Sequence, residues 1–135
     1  MSKHKVFALP VRVYFQDTDA GGVVYHASYV NFMERARTEW LRTHGYSNAG
    51  LMKEFGVVFV VRSLKLDYLK PALLDDLLDV TAQIKEIGRS RLNLIQSVLR
   101  GDELLTEAEV HLVCVSLQGF KPVSVPEVLR QRLKI

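Results

Sequence analysis

An α+β fold, with one long helix and an antiparallel sheet of about five strands, is predicted by three features of the sequence. Residues 26–44, HASYVNFMERARTEWLRTH, carry apolar side chains at helical spacing. Four later segments between 57 and 117 are rich in β-branched and apolar residues, and short turn-forming connections separate them. One more alternating segment, PVRVYFQ at 10–16, precedes the helix. Five strands leave a sheet face that must be covered, and the long helix laid across the concave face would cover it. The opposite face and the strand edges then invite pairing with a second subunit.

The first strand, 10–16, places Val11, Val13 and Phe15 on one face. Residues 17–22 interrupt it. The helix is expected from His26 to about His44, with Val30, Met33, Ala36, Arg37, Trp40 and Leu41 recurring on one stripe. Gly45 suits a C-terminal cap, and Arg42 and His44 suit the negative end of the helix dipole. SNAGLMKEFG adds one or two turns, begun by Ser47 or Asn48. Strands follow at 57–69, 77–87, 91–100 and 104–117. PALLDD, GRS and GDE connect them, so successive hairpins and an antiparallel meander are expected. Pro126 opens a short basic helix. It reads as a tail packed on the domain, with a membrane-surface helix as the less favoured alternative.

The bulk properties narrow the function. A chain of 135 residues suits one domain, 1–135, with a core of its own. At 48% hydrophobic and 24% charged it has the composition of a globular protein. Its net charge of +3 is spread out and lacks an aromatic–basic stacking pattern, which disfavours nucleic acid. No run is long enough for a transmembrane segment, and MSKHKVFALPVRV lacks the continuous apolar stretch of a secretory signal. A cytoplasmic location is therefore expected. The single cysteine, Cys114, lies in the apolar run VHLVCVSL and reads as a buried core thiol.

Chemistry concentrates in FQDTDAGGVVYHASY, 15–29. Gly21 and Gly22 permit backbone conformations closed to other residues and let a substrate approach. A helix start near His26 offers unpaired N–H groups and partial positive charge to a carbonyl oxygen that becomes an oxyanion. Asp19 lies just before it and is an anion at neutral pH, able to act as base or nucleophile. Such a pair suffices for thioester cleavage without a metal or other cofactor. The same residues also allow a plainer reading, in which Asp17, Thr18 or Asp19 forms an Asx-turn and His26 merely begins a helix.

The segment VRVYFQDTDAGGVVYHASYVNFMERARTEWLR resembles the signature of hotdog-fold acyl-CoA thioesterases of the 4-hydroxybenzoyl-CoA thioesterase type, most of all the YbgC group associated with the bacterial Tol-Pal system. The likeness continues through FVVRSLKLDYLKPALLDDLLDV and LLTEAEVHLVCVS, covering roughly residues 8–120. It implies a hotdog fold, an antiparallel sheet wrapped around the central helix, with subunits joined edge to edge as dimers that often pair into tetramers. It also implies that Asp19 is the catalytic carboxylate, and backbone amides around Tyr25 and His26 are expected to polarise the carbonyl. The His26 side chain would orient substrate or water. Tyr29 and Asn31 would support the helix start, and Glu34 and Arg35 read as a solvated or subunit-facing pair.

The resemblance further implies that basic residues of the IGRSR connection, Arg89 or Arg91 with Ser90, touch the nucleotide phosphates of coenzyme A. Forked arginine donors suit that task, although two solvated hairpin charges are an equal alternative. Phe59, Val60 and Val61 would line the acyl site near the dimer interface. An acyl carrier protein is an alternative thioester donor, for which Lys65, Lys70, Arg89 and Arg91 supply basic charge. Two other readings compete. One is a hotdog hydratase or dehydratase. The other is a non-catalytic acyl-CoA or acyl-carrier-protein binding or scaffold protein of the cell envelope system.

Overall fold

The structure, a computed structural model, describes residues 6–134. Its elements in order are β1 (Phe7–Arg12), α1 (Ser28–Thr43), α2 (Asn48–Phe55), β2 (Val57–Tyr68), β3 (Leu77–Ile87), β4 (Arg91–Arg100), β5 (Glu103–Ser116) and α3 (Glu127–Leu133). All five strands form one antiparallel sheet in the order β1-β3-β4-β5-β2. Helix α1 turns Tyr29, Phe32, Met33, Ala36, Trp40 and Leu41 into the core. Val30 and Arg37, expected on that stripe, are only half-buried, and Phe32 at 0% exposure takes the centre. Burying a side chain of that size contributes about 1.5–3 kcal/mol. One continuous apolar cluster joins α1 to Leu78 and Val80 of β3, Leu92 and Leu94 of β4 and Leu105 and Val110 of β5. This is the α+β arrangement that the sequence predicts.

Three expectations need correction. The first strand ends at Arg12, and Phe15–Asp17 winds into a 3-10 turn. The cause is Asp17, whose Oδ2 accepts the Tyr14 N–H at 2.8 Å while its own N–H donates to Tyr14 O. Val11 and Val13 stay buried, but Phe15 swings out to 80% exposure. Second, α1 begins at Ser28, not His26. Third, only β3, β4 and β5 form a meander, because β2 pairs with β5 at one edge and β1 with β3 at the other. Residues 69–76 are therefore a crossover from the β2 edge to β3, the strand next to the opposite edge, rather than a hairpin turn. Lys70 N–H bonds Leu105 O, Val24 N–H bonds Ala72 O, and Leu74 N–H bonds Gly22 O. That crossover binds the end of the sheet to the 17–26 loop.

The remaining ends follow local rules. Ser47 Oγ accepts the Gly50 N–H at 3.0 Å and caps α2, and Gly56 ends it at φ 65°. Gly45, at φ 90°, ends α1. Leu129 and Leu133 of α3 are buried, so the C-terminal helix packs on the core instead of presenting an apolar face for a membrane. Among the described residues no helix is long and apolar enough to cross one. Cys114 is fully buried, and burial pushes its thiol pKa up to about 11. Thiol titration of the native protein at pH 8 should therefore read essentially no reactive cysteine, and one per chain after denaturation. Rapid native labelling would contradict the buried placement.

Candidate active site

The two acids of the DTD run lie in different surroundings. Asp17 is buried and holds the 3-10 turn through Tyr14. Asp19 is exposed. Its carbonyl accepts the Gly22 N–H at 3.1 Å, its N–H donates to Val23 O at 3.0 Å, and its Oδ1 accepts the Gly21 N–H at 3.0 Å. The Asx contact of the plainer reading is thus present, and it fixes the carboxylate at the tip of a tight loop. Gly22 makes that loop possible by taking φ 78°. Among the described residues Asp19 Oδ2 has no partner. Bridges Thr18–Val24 and Val23–Leu73 tie the loop arms together and to the crossover.

The chain then passes Tyr25 and His26 before α1. The Tyr25 N–H donates to Asp17 O at 2.9 Å, so this amide is already occupied. Among the described residues the N–H groups of His26 and Ala27 have no acceptor. The Tyr25 carbonyl accepts the Ser28 N–H at 2.8 Å, and the His26 carbonyl accepts the Tyr68 hydroxyl at 3.0 Å. The exposed His26 ring lies 4.5 Å from that of Tyr25 and 6.5 Å from that of Tyr68, edge to face with the latter. Tyr29 is buried, and its hydroxyl accepts the Ala72 N–H at 3.0 Å. It supports the crossover, while Asn31 faces outward. A surface groove beside this turn is lined by Val24, His26, Tyr29, Tyr68, Leu69 and Pro71.

A second cavity, of about 310 Å³, lies farther along β2. Phe59, Val60 and Val61 line it with Trp40, Leu41 and Leu112, and Glu34 and Arg37 supply charge. Arg35, the neighbour of Glu34, is exposed on α1 and not in this lining. Burial lowers the pKa of the Arg37 guanidinium, and Glu34 partly opposes the shift. Arg37 Nη1 donates to Oε1 of the fully buried Gln96 at 3.0 Å. Arg91 of β4 faces Val113 of β5, which faces Val60 of β2. The 88–91 hairpin therefore shares sheet rows with the Phe59–Val61 stretch, about 10 Å away at two strand spacings. Arg89 and Arg91 are exposed, and among the described residues neither is paired with an acid. Ser90 is half-buried, and its carbonyl accepts the Cys114 N–H at 2.7 Å.

The candidate residues thus form two groups. His26 sits beside Tyr68, and Asp19 lies on the loop just before it that is tied to the crossover, at the far end of β2 from Phe59–Val61 and the Arg89–Arg91 hairpin. Val61 and Tyr68 are roughly 20 Å apart along an extended strand. Of the lysines offered to an acidic partner, Lys70 is paired with Glu103 at 3.1 Å and Lys65 is exposed. Tyr68, Arg37 and Gln96 escape a sequence reading because each looks like an ordinary strand or helix position. A tyrosine next to the turn-forming LKPA is the only trace of the first.

Comparison with known proteins adds a family to this geometry. The profile of the thioesterase-like superfamily matches residues 13–133. The acyl-CoA thioesterase YbgC of Haemophilus influenzae is 46% identical over 121 residues, covering 90% of this chain and 89% of that protein. The acyl-CoA thioester hydrolase YbgC of Escherichia coli is 50% identical over 123 residues, covering 90% and 91%. The crystal structure of a probable thioesterase from Bartonella henselae superposes with a TM-score of 0.86 at 34% identity, covering 90% of this chain and all of that one.

Proposed function

The chain belongs to the thioesterase-like superfamily, and from that premise we propose that it hydrolyses acyl-CoA thioesters to a free acid and coenzyme A, with Asp19 as the reacting carboxylate. The observation that carries this reading is one loop that combines an exposed carboxylate with an amide, that of His26, that has no acceptor among the described residues. In the base form of the reaction Asp19 takes a proton from water as the hydroxyl oxygen adds to the acyl carbon. The N–H of His26 stabilises the resulting oxyanion. Collapse expels the coenzyme A thiolate, which recovers the proton from Asp19. In the nucleophile form Asp19 adds directly and expels the thiolate, and water then opens the acyl anhydride. Either form places the oxyanion donor at His26, because the Tyr25 amide is engaged by Asp17.

A dimer paired through β2 accounts for the two separated groups of residues. β2 is an edge strand, with Val61 49% and Tyr68 48% exposed. If β2 pairs antiparallel with its own copy about a two-fold axis near Leu64, the Phe59–Val61 stretch of one subunit lies beside Tyr68 of the other. Asp19 and His26 would then meet the acyl groove and the Arg89–Arg91 hairpin of the second copy. The basic hairpin holds the phosphates, and the apolar groove takes the acyl chain.

Release of free thiol from acyl-CoAs, ranging from short aliphatic to long-chain and aromatic, tests the activity. Turnover of at least one is expected. Binding without turnover across the panel would overturn it in favour of a non-catalytic acyl-CoA protein. Subunit mixing tests the shared site. Asp19→Asn subunits mixed with Arg89→Ala/Arg91→Ala subunits should regain about one quarter of the wild-type rate at subsaturating substrate, because half the dimers then contain one intact site. A site confined to one subunit would regain nothing.

A further inference from the structure

We propose that Tyr68 is a positioning residue for the carbonyl-binding turn: its hydroxyl fixes the His26–Ala27 peptide so that the Ala27 N–H joins the His26 N–H as a second donor to the thioester oxygen. This proposal rests on the thioesterase reading above and adds to it a residue outside the DTDAGGVVYH segment. The geometry of the turn motivates it. In a trans peptide the N–H points away from the C=O of the same unit, and among the described residues there is no cis bond. The carbonyl of the 26–27 unit accepts the Tyr68 hydroxyl at 3.0 Å, so the Ala27 N–H faces the opposite way. The 25–26 unit, which carries the His26 N–H, is held separately by the Ser28 N–H on its carbonyl at 2.8 Å. Both peptides flanking His26 therefore have fixed carbonyls, while their N–H groups have no protein acceptor among the described residues.

Tyr68 is itself held in place. Its ring packs edge to face on Tyr29, 5.4 Å between centroids, and Tyr29 is buried and bonded to the Ala72 N–H. Tyr29 and Tyr68 line the groove beside His26. The brace therefore runs from the crossover through Tyr29 and Tyr68 to the 26–27 peptide. A hydroxyl donating to a peptide carbonyl also polarises that peptide and strengthens its N–H as a donor. The hydroxyl acts weakly on the neutral carbonyl and most strongly as it becomes an oxyanion, so its removal should lower kcat more than it raises KM.

Tyr68→Phe keeps the ring and deletes the brace. The expected result is a fall in kcat of about tenfold, smaller than the loss of a direct oxyanion donor, with KM raised no more than about threefold. A second readout distinguishes positioning from packing and works without turnover. Two unreactive coenzyme A analogues are compared, a ketone in which CH2 replaces sulfur and a thioether that lacks the carbonyl. Tyr68→Phe should weaken the ketone about threefold, in step with KM, and leave the thioether unchanged. Equal weakening of both, or of neither, would overturn the proposal. Failure of wild type to hydrolyse any acyl-CoA would sink the thioesterase reading, while the analogue pair would still judge Tyr68.

Discussion

Asp19→Asn should lower kcat/KM about 10³-fold, the range expected for loss of a positioned base, or about 4 kcal/mol of transition-state stabilisation. Its melting temperature should stay within a degree or two of wild type. The contrast follows from the loop. Asp19 holds the turn with its backbone and with one side-chain oxygen, which accepts the Gly21 N–H. The asparagine Oδ1 can accept the same bond, so the loop survives the change. Only the anion is lost. Parallel measurement of thiol release and thermal unfolding separates the two effects. A variant that melts like wild type and turns over within threefold of it would remove Asp19 from the chemistry.

The largest stability effect away from this loop is expected at Gln96. Its Nε2 donates to Met33 O of α1 and to Thr81 O of β3, each at 3.0 Å, and its Oε1 accepts Arg37 Nη1 at the same distance. One fully buried amide thus joins the helix to two strands and holds a half-buried guanidinium. Gln96→Leu has nearly the same volume but satisfies none of these groups. It leaves the Arg37 charge without its side-chain acceptor in a partly desolvated place, a situation that costs more than the lost bond alone. About 3 kcal/mol of destabilisation is expected, or about 10 °C in Tm for a chain of this size. Denaturant unfolding followed by circular dichroism reads it directly. Paired substitution of Gln96→Leu with Arg37→Leu should recover part of the loss, since no half-buried charge is then left without its acceptor.

The elements were largely legible because their patterns are local. The helix stripe, the caps at Ser47 and Gly45 and the strands beyond residue 57 follow from periodicity and turn chemistry, and boundaries differ by only a few residues. What was not legible depends on contacts between distant residues. Alternation carried the first strand through Phe15, but the Asp17 carboxylate winds that stretch into a 3-10 turn. The pairing of β2 with β5 is set by the whole sheet, and PALLDD reads equally well as a hairpin turn or a crossover. The reacting loop was legible as a candidate, but the difference between its two acids was not. Asp17 and Asp19 are alike in sequence, and only burial separates the structural acid from the exposed one. Likewise, the Tyr68 hydroxyl reaches the His26 carbonyl across 42 positions of sequence, beyond any spacing rule.

The edge position of β2 also has a consequence during synthesis. Its apolar VVFVV start leaves the ribosome well before β5, its sole strand partner among the described residues. At elongation rates of about 5–20 residues per second, the finished β2 waits roughly 2–10 s for residue 116. Over that interval it is an unpaired, β-branched strand of the kind that aggregates. β3 can pair with β1 and β4 meanwhile, whereas β2 must wait for β5. Chaperone dependence and inclusion-body formation should therefore track substitutions in residues 57–61, even those that leave the stability of the finished protein unchanged.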